Sequence, residues 1–187
     1  HALLWKLSQS PRSPKLFALP GSTGMGRIAD CVAAVDPSNH PAVVEWCKEE
    51  GVDLVVVGPE APLAAGLADG FEAFKIPVFG PAQAAARLEA SKSFAKDFMK
   101  RHGIPTADYE AYDDPARASD AAAELPLPLV VKADGLAAGK GVRVCPTRRE
   151  AIAAVQDFMQ KGAVGEAGKR VVLEQCLRGR EASVLAL

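Results

Sequence analysis

The chain has 187 residues, room for one large domain or two small ones, and 49% of them are apolar, enough to bury a core. A formal charge of −1, with no basic cluster, gives none of the one-sided Lys and Arg footprint that nucleic-acid binding requires. No apolar run approaches the ~18 residues of a transmembrane helix, and no basic-then-apolar leader opens the chain. Cys31, Cys47, Cys145 and Cys176 form no C-x-x-C pair. They read as reduced core cysteines of a cytoplasmic protein.

Leu3, Leu4 and Leu7 recur at helical spacing, so Ala2–Ser10 reads as helix. Lys15–Leu19 is a short strand, ended by Pro20-Gly21-Ser22-Thr23-Gly24. Asn39 caps a helix to Glu50, with Val43, Trp46 and Cys47 inward and Gly51 beyond its end. Asp53–Val57 is a continuous apolar run, the pattern of a parallel strand buried on both faces. A helix with Leu63, Leu67, Phe71 and Phe74 inward comes next, and Pro77–Phe79 is a further strand. Alternating strands and helices with short connections predict an open, doubly wound parallel sheet. Its ligand rim lies beyond the strands' carboxyl ends, at Pro20–Gly24 and Gly58–Leu63. His1 is not an initiator Met and Leu187 falls inside an apolar run, so both ends look cut.

From Pro81 the pattern changes. An Ala-rich stretch leads into a helix over Ser91–His102, with Phe94 and Phe98 stacked at i, i+4. An extended segment runs to Tyr112, a helix spans Asp114–Glu124, and Leu125–Pro128 is a proline-stiffened connector. Thr147 and Glu150 form a capping box for a helix with Ile152, Val155 and Met159 inward. Arg170–Glu174 reads as strand, Cys176–Gly179 as turn and Glu181–Leu187 as strand.

The most informative stretch is Leu129–Cys145. Two apolar runs, Leu129–Lys132 and Val142–Cys145, flank Gly135-Leu136-Ala137-Ala138-Gly139-Lys140-Gly141, the pattern of a β-hairpin with a glycine-rich tip. Its free N–H groups and Lys140 suit phosphate. A Walker A loop is excluded: three residues rather than four precede Gly139-Lys140, Gly141 replaces Ser or Thr, and strand rather than helix follows. The G-x-G-x-x-G pattern of a Rossmann dehydrogenase is also absent. An ordinary glycine-rich turn is the competing reading. Lys132 interrupts an apolar strand just before the loop, where it can neutralise phosphoryl oxygens; the alternative is a strand end reaching solvent. Lys92 opens a helix, where the macrodipole disfavours a cation.

Lys132-Ala133-Asp134-Gly135-Leu136-Ala137-Ala138-Gly139-Lys140-Gly141-Val142 resembles the nucleotide loop of the phosphoribosylamine–glycine ligase family, in the ATP-grasp superfamily. Val57-Gly58-Pro59-Glu60-Ala61-Pro62-Leu63, Phe79-Gly80-Pro81, Leu88-Glu89-Ala90-Ser91-Lys92 and His102-Gly103-Ile104-Pro105-Thr106 resemble that family's other signatures, in the same order. The resemblance implies a Rossmann-like pre-ATP-grasp domain over 1–89, without its first strand. A partial ATP-grasp domain would follow over 90–187, with an α+β lid at about 109–177. It implies a ligase joining glycine to 5-phosphoribosylamine, with ATP and Mg2+, the magnesium ligands lying in an absent C-terminal part. By the same resemblance, Lys132 would be catalytic. Lys92, Lys132, Gly135, Leu136, Ala137, Ala138, Gly139, Lys140, Gly141, Glu174, Leu177 and Glu181 would bind ATP, and Gly58, Pro59 and Glu60 would lie by the phosphoribosylamine. A non-catalytic nucleotide-binding module and another ATP-grasp carboxylate–amine ligase are the alternatives. Two departures stand out: Pro20-Gly21-Ser22-Thr23-Gly24-Met25 replaces the family's usual Pro-Gly-Asn-Ala-Gly-Thr, and Glu174-Gln175 replaces Glu-Glu. On this reading the 187-residue chain alone is expected not to turn over.

Overall fold

A computed structural model describes residues 1–13 and 15–184. The chain divides into two compact units, His1–Ala86 and Arg87–Leu187. In the first, helix α1 (Ala2–Ser8) precedes strand β1 (Phe17–Ala18), which pairs in parallel with β2 (Asp30–Cys31). Helix α2 (His40–Glu49) is capped by the Asn39 side chain, which accepts from the Ala42 N–H. Strand β3 (Val55–Val56) pairs in parallel with β4 (Val78–Phe79). Between them lie two short helices, α3 (Glu60–Ala64) and α4 (Leu67–Gly70), and α5 (Gln83–Ala90) follows β4.

The parallel pairing agrees with the α/β expectation, but several details differ. β3 is two residues long and half-buried, with Leu54 exposed, rather than buried on both faces. Among the described residues it pairs on one side only. The single helix expected from Leu63 to Phe74 breaks at Gly66, whose φ of +90° belongs to the left-handed region that glycine tolerates. Leu63, Leu67 and Phe71 still turn inward, but Phe74 falls in a 3₁₀ turn and is exposed. The core of this unit packs Val43, Val44 and Cys47 of α2 against Leu67 and Phe71. Phe17 meets Trp46 edge-on at 5.0 Å. β2 had no sequence signal: Asp-Cys is a poor strand pair, and the Cys31 expected in the core is exposed.

The second unit is built on a four-stranded antiparallel sheet in the order β5-β8-β6-β7. Its strands are β5 (Tyr109–Tyr112), β6 (Leu129–Ala133), β7 (Val142–Cys145) and β8 (Val171–Gln175). Its helices are α6 (Lys92–Arg101), α7 (Pro115–Glu124) and α8 (Arg148–Met159). β6 and β7 form the expected hairpin, with Lys132 opposite Val142. The Thr147–Glu150 capping box is formed in both directions.

Side chains alternate across a strand, and here the alternation divides the sheet by chemistry. Leu129, Val131, Ala133, Val171 and Leu173 face α7 and α8, packing against Ala118, Ala122, Ala151, Ala154, Val155 and Phe158. Val155 is buried on α8 as expected and Phe158 is buried beside it, with Ile152 and Met159 half-buried at the edge of this cluster. Burying a Phe side chain contributes about 1.5–3 kcal/mol. Phe94 and Phe98 do not stack on each other: Arg87 lies over Phe94 at 4.1 Å, and Phe98 meets His102 at 4.3 Å. Neither Ser93 nor Lys96 was expected as the buried pair of α6, yet both are buried. The strand expected over Glu181–Leu187 is not formed at 181–184, which is exposed and irregular; 185–187 lies outside the described residues. No helix among the described residues is long and apolar enough to cross a membrane.

Candidate functional site: the charged face of the four-stranded sheet

Because Leu129, Val131 and Ala133 face the helices, Val130 and Lys132 must project from the opposite face of β6. Val130 stands opposite Glu174 and Lys132 opposite Val172, so Lys132 and Glu174 are diagonal neighbours within reach of long side chains. Lys132 Nζ lies 2.5 Å from Glu174 Oε2. Glu174 Oε1 is taken by Lys96, reaching from α6 at 2.7 Å. Lys96 also donates to Thr106 Oγ1 at 2.7 Å and to the Ala107 carbonyl at 3.3 Å. On the same face, next to Lys132, Val142 and Val144 are exposed at 48% and 61%, an uncovered apolar strip.

Lys92 is the first residue of α6, and the unfavourable macrodipole is offset locally. The Asp134 carboxylate accepts from the Ser93 N–H at 2.5 Å and from Ser91 Oγ at 3.0 Å, while its carbonyl accepts from the Lys92 N–H at 3.0 Å. A carboxylate at a helix N-terminus is favourable, and this one fastens α6 to the start of the glycine loop. Lys92 Nζ donates to the Gly135 carbonyl at 3.0 Å. Burial lowers the Lys92 pKa below the usual lysine value; Asp134 and Glu89 oppose that shift, and Lys132 adds to it. Lys92, Lys132 and the loop are therefore gathered in one place.

The loop itself is a tight turn. Ala138 and Gly139 have φ of +47° and +78°, and the Lys140 N–H donates to the Ala137 carbonyl at 2.9 Å, the sign pattern of a type I′ turn. Of its three glycines only Gly139 takes positive φ. Gly135 and Gly141 are required by close approach instead: a Cβ at Gly141 would stand 2.7 Å from the Ala137 Cβ, and one at Gly135 3.0 Å from the Ala167 Cα. Among the described residues the N–H groups of Leu136, Ala137, Ala138 and Gly139 have no protein acceptor. Ala138, Gly139 and Lys140 are exposed at the tip.

The remaining expected residues are more dispersed. Leu177 follows the end of β8 and is 68% exposed; Glu181 is exposed in the irregular tail. Gly58, Pro59 and Glu60 belong to the first unit, where they pass from β3 into α3, all exposed, with Pro59 at the N-cap. The sequence reading missed Lys96, Thr106 and Asp134. Helical spacing carried a signal for the first, since Lys96 lies one turn beyond Lys92 and shares its face.

The sequence matches two family descriptions: "Phosphoribosylglycinamide synthetase, N domain" over residues 1–89, and "Phosphoribosylglycinamide synthetase, ATP-grasp (A) domain" over 90–187. It is 51% identical over 189 residues to phosphoribosylamine–glycine ligase of Rhizobium meliloti, covering 100% of this chain and 44% of that protein. It is 48% identical over 191 residues to the trifunctional purine biosynthetic protein adenosine-3 of Drosophila melanogaster, covering 14% of it. The chain thus spans less than half the length of these relatives. The crystal structure of Thermotoga maritima phosphoribosylamine–glycine ligase superposes with a TM-score of 0.75 at 27% identity, over 96% of this chain and 42% of that one. The biotin carboxylase domain of Hydrogenobacter thermophilus 2-oxoglutarate carboxylase, solved with MgADP, ADP and bicarbonate, shares the fold at a TM-score of 0.72 and 20% identity, over 91% of this chain and 41% of that one.

Proposed function

Because the chain belongs to the phosphoribosylglycinamide synthetase family, we propose that it forms part of a cytoplasmic, ATP-dependent ligase joining glycine to 5-phosphoribosylamine. Residues 1–89 would supply the pre-ATP-grasp domain and 90–187 the first part of the ATP-grasp domain, with a lid at about 109–177. A carboxylate is a poor acyl donor, so ATP supplies the phosphoryl group that turns glycine into a glycyl phosphate for the amine to attack. The work left to the protein is positioning and charge stabilisation.

The observation that carries this reading is the set of cations beside unpaired loop amides. Lys96 and Lys132 share the single carboxylate of Glu174, so that buried cluster is one positive charge in excess and suits an anion. In this reading Lys132 and Lys92 contact the phosphates, and Gly135, Leu136, Ala137, Ala138, Gly139, Lys140 and Gly141 close over them. Leu177 offers backbone groups to adenine, whereas the Glu174 backbone, in a strand paired on both sides, is engaged by the sheet; Val142 and Val144 give the ring an apolar floor, and Glu181 holds ribose. Gly58, Pro59 and Glu60 are assigned to the phosphoribosylamine. Among the described residues no cluster of three His, Cys, Asp or Glu side chains could hold a metal ion.

The test is Lys132→Ala in a protein of the relatives' full length carrying this sequence. Loss of a charge-assisted contact of roughly 1.5–3 kcal/mol lowers kcat/KM for ATP at least about tenfold. Lys132→Arg does not fully restore it, since a planar fork cannot replace a compact ammonium beneath a tight loop. Lys169→Ala is the control: Lys169 is 73% exposed and, among the described residues, pairs with Glu166. A Lys132→Ala enzyme as active as that control refutes the phosphate assignment.

A further inference from the structure

Resting on the nucleotide reading above, we propose that Lys96 is a positioning residue: it keeps Glu174 neutralised so that Lys132 is free to leave Glu174 for an incoming anion. Lys96 cannot itself be a nucleotide contact of the ordinary kind. Its side chain is 8% exposed, and its Nζ is already occupied by Glu174 Oε1, Thr106 Oγ1 and the Ala107 carbonyl. Lys132 is the opposite case. It is 25% exposed and reaches Glu174 Oε2 from the open face of β6, so it is the more accessible of the two partners.

The electrostatics turn on what remains when Lys132 moves. Glu174 has 10% of its side chain exposed, and a buried carboxylate stripped of its partner is heavily penalised. With Lys96 in place, transfer of Lys132 to a phosphate leaves Glu174 still paired through Oε1. Without Lys96, Lys132 is the one counter-ion of Glu174 left among the described residues, and every nucleotide that recruits it must first orphan a buried charge. Thr106 and the Ala107 carbonyl fix Lys96 from the segment between α6 and β5, so its place is set independently of Lys132. The surplus positive charge is thus divided between a fixed ammonium and a transferable one.

The experiment uses Lys96→Met in a protein of the relatives' full length carrying this sequence, assayed for ATP- and glycine-dependent ligation. KM for ATP is expected to rise about tenfold, while kcat and KM for glycine stay within about twofold. Adding Glu174→Gln removes the charge that traps Lys132, so the double variant should recover to within about threefold of the parent KM for ATP. A merely structural lysine would give losses that deepen with the second substitution. Thr106→Val, which removes one of the bonds to Lys96, should raise KM for ATP about two- to threefold and stands in if Lys96→Met does not fold. An unchanged KM for ATP in Lys96→Met, or in Thr106→Val where that variant stands in, overturns the proposal, as does a further loss on adding Glu174→Gln. A parent protein with no ATP-dependent ligation overturns the functional reading, and this inference falls with it.

Discussion

Asp134 is the residue whose loss should be most costly for its size. Its carboxylate accepts from the Ser93 N–H at 2.5 Å and the Ser91 hydroxyl at 3.0 Å, and Ser93 is buried. Asp134→Ala therefore leaves a buried helix-terminal donor without a partner, a penalty of about 1–3 kcal/mol. It also removes a carboxylate from the positive end of α6, worth roughly 0.3–1 kcal/mol. The expected destabilisation of the second unit is about 1–4 kcal/mol. Asp134→Asn keeps an acceptor for the Ser93 N–H and should cost about 1 kcal/mol, mainly the charge term. Both tryptophans, Trp5 and Trp46, belong to the first unit, so intrinsic fluorescence would follow the wrong transition. Urea titration read through the amide resonances of β6 and β8 reports the right one. Asp134→Ala within about 0.5 kcal/mol of the parent, or Asn as damaging as Ala, would refute the account of α6 docking.

Two further expectations concern titration and reactivity. Tyr109 and Tyr112 are both pushed up to about 12, chiefly by burial and then by donating to the carboxylates of Asp97 and Glu110. Their folded values exceed the unfolded value of about 10, so this stabilisation is complete below about pH 10 and is lost as pH rises toward about 12. The native protein should show almost no tyrosinate absorbance at a pH where the urea-unfolded chain is half ionised; coincident titrations would refute this. Burial raises the thiols of Cys47 and Cys145, with Glu150 adding to the latter, whereas Cys31 is exposed and Cys176 half-buried. A chromogenic thiol reagent at neutral pH should label Cys31 first, Cys176 more slowly, and the buried pair only on denaturation. Four equal rates in the native protein would contradict the packing.

Most of the second unit was legible because its signals are local. The hairpin from Leu129 to Cys145, the helix expected over Asp114–Glu124, the Thr147 cap, and the strand at Arg170–Glu174 each depend on residues close in sequence, and each formed at or near its expected place. The first unit was harder to read where a neighbour decided the outcome. Leu63, Leu67, Phe71 and Phe74 keep helical spacing, yet periodicity does not register that Gly66 turns left-handed between them. β2 exists because Phe17 and Ala18 offer it a parallel edge, a long-range cause with no signature in Asp30-Cys31.

At the candidate site the difference lies between bearing a charge and neutralising it. A lysine inside an apolar strand announces itself, so Lys132 could be read directly from the sequence, and Lys92 could be read from its odd place at a helix start. Their counter-charges could not. Glu174 looked like an end-of-strand carboxylate whose backbone mattered more than its side chain, and Asp134 like part of a turn. Each is defined by a partner at least 41 residues away: Ser93 to Asp134 spans 41, and Lys132 to Glu174 spans 42. Burying an ammonium demands a carboxylate at close range, but which carboxylate answers is set by strand register and helix docking. Period-two alternation names the face on which Lys132 must emerge; only the antiparallel register of β6 against β8 brings Glu174 to that face. The cation is written locally and its partner topologically. The charge balance of such a site is therefore the property a sequence is least able to disclose.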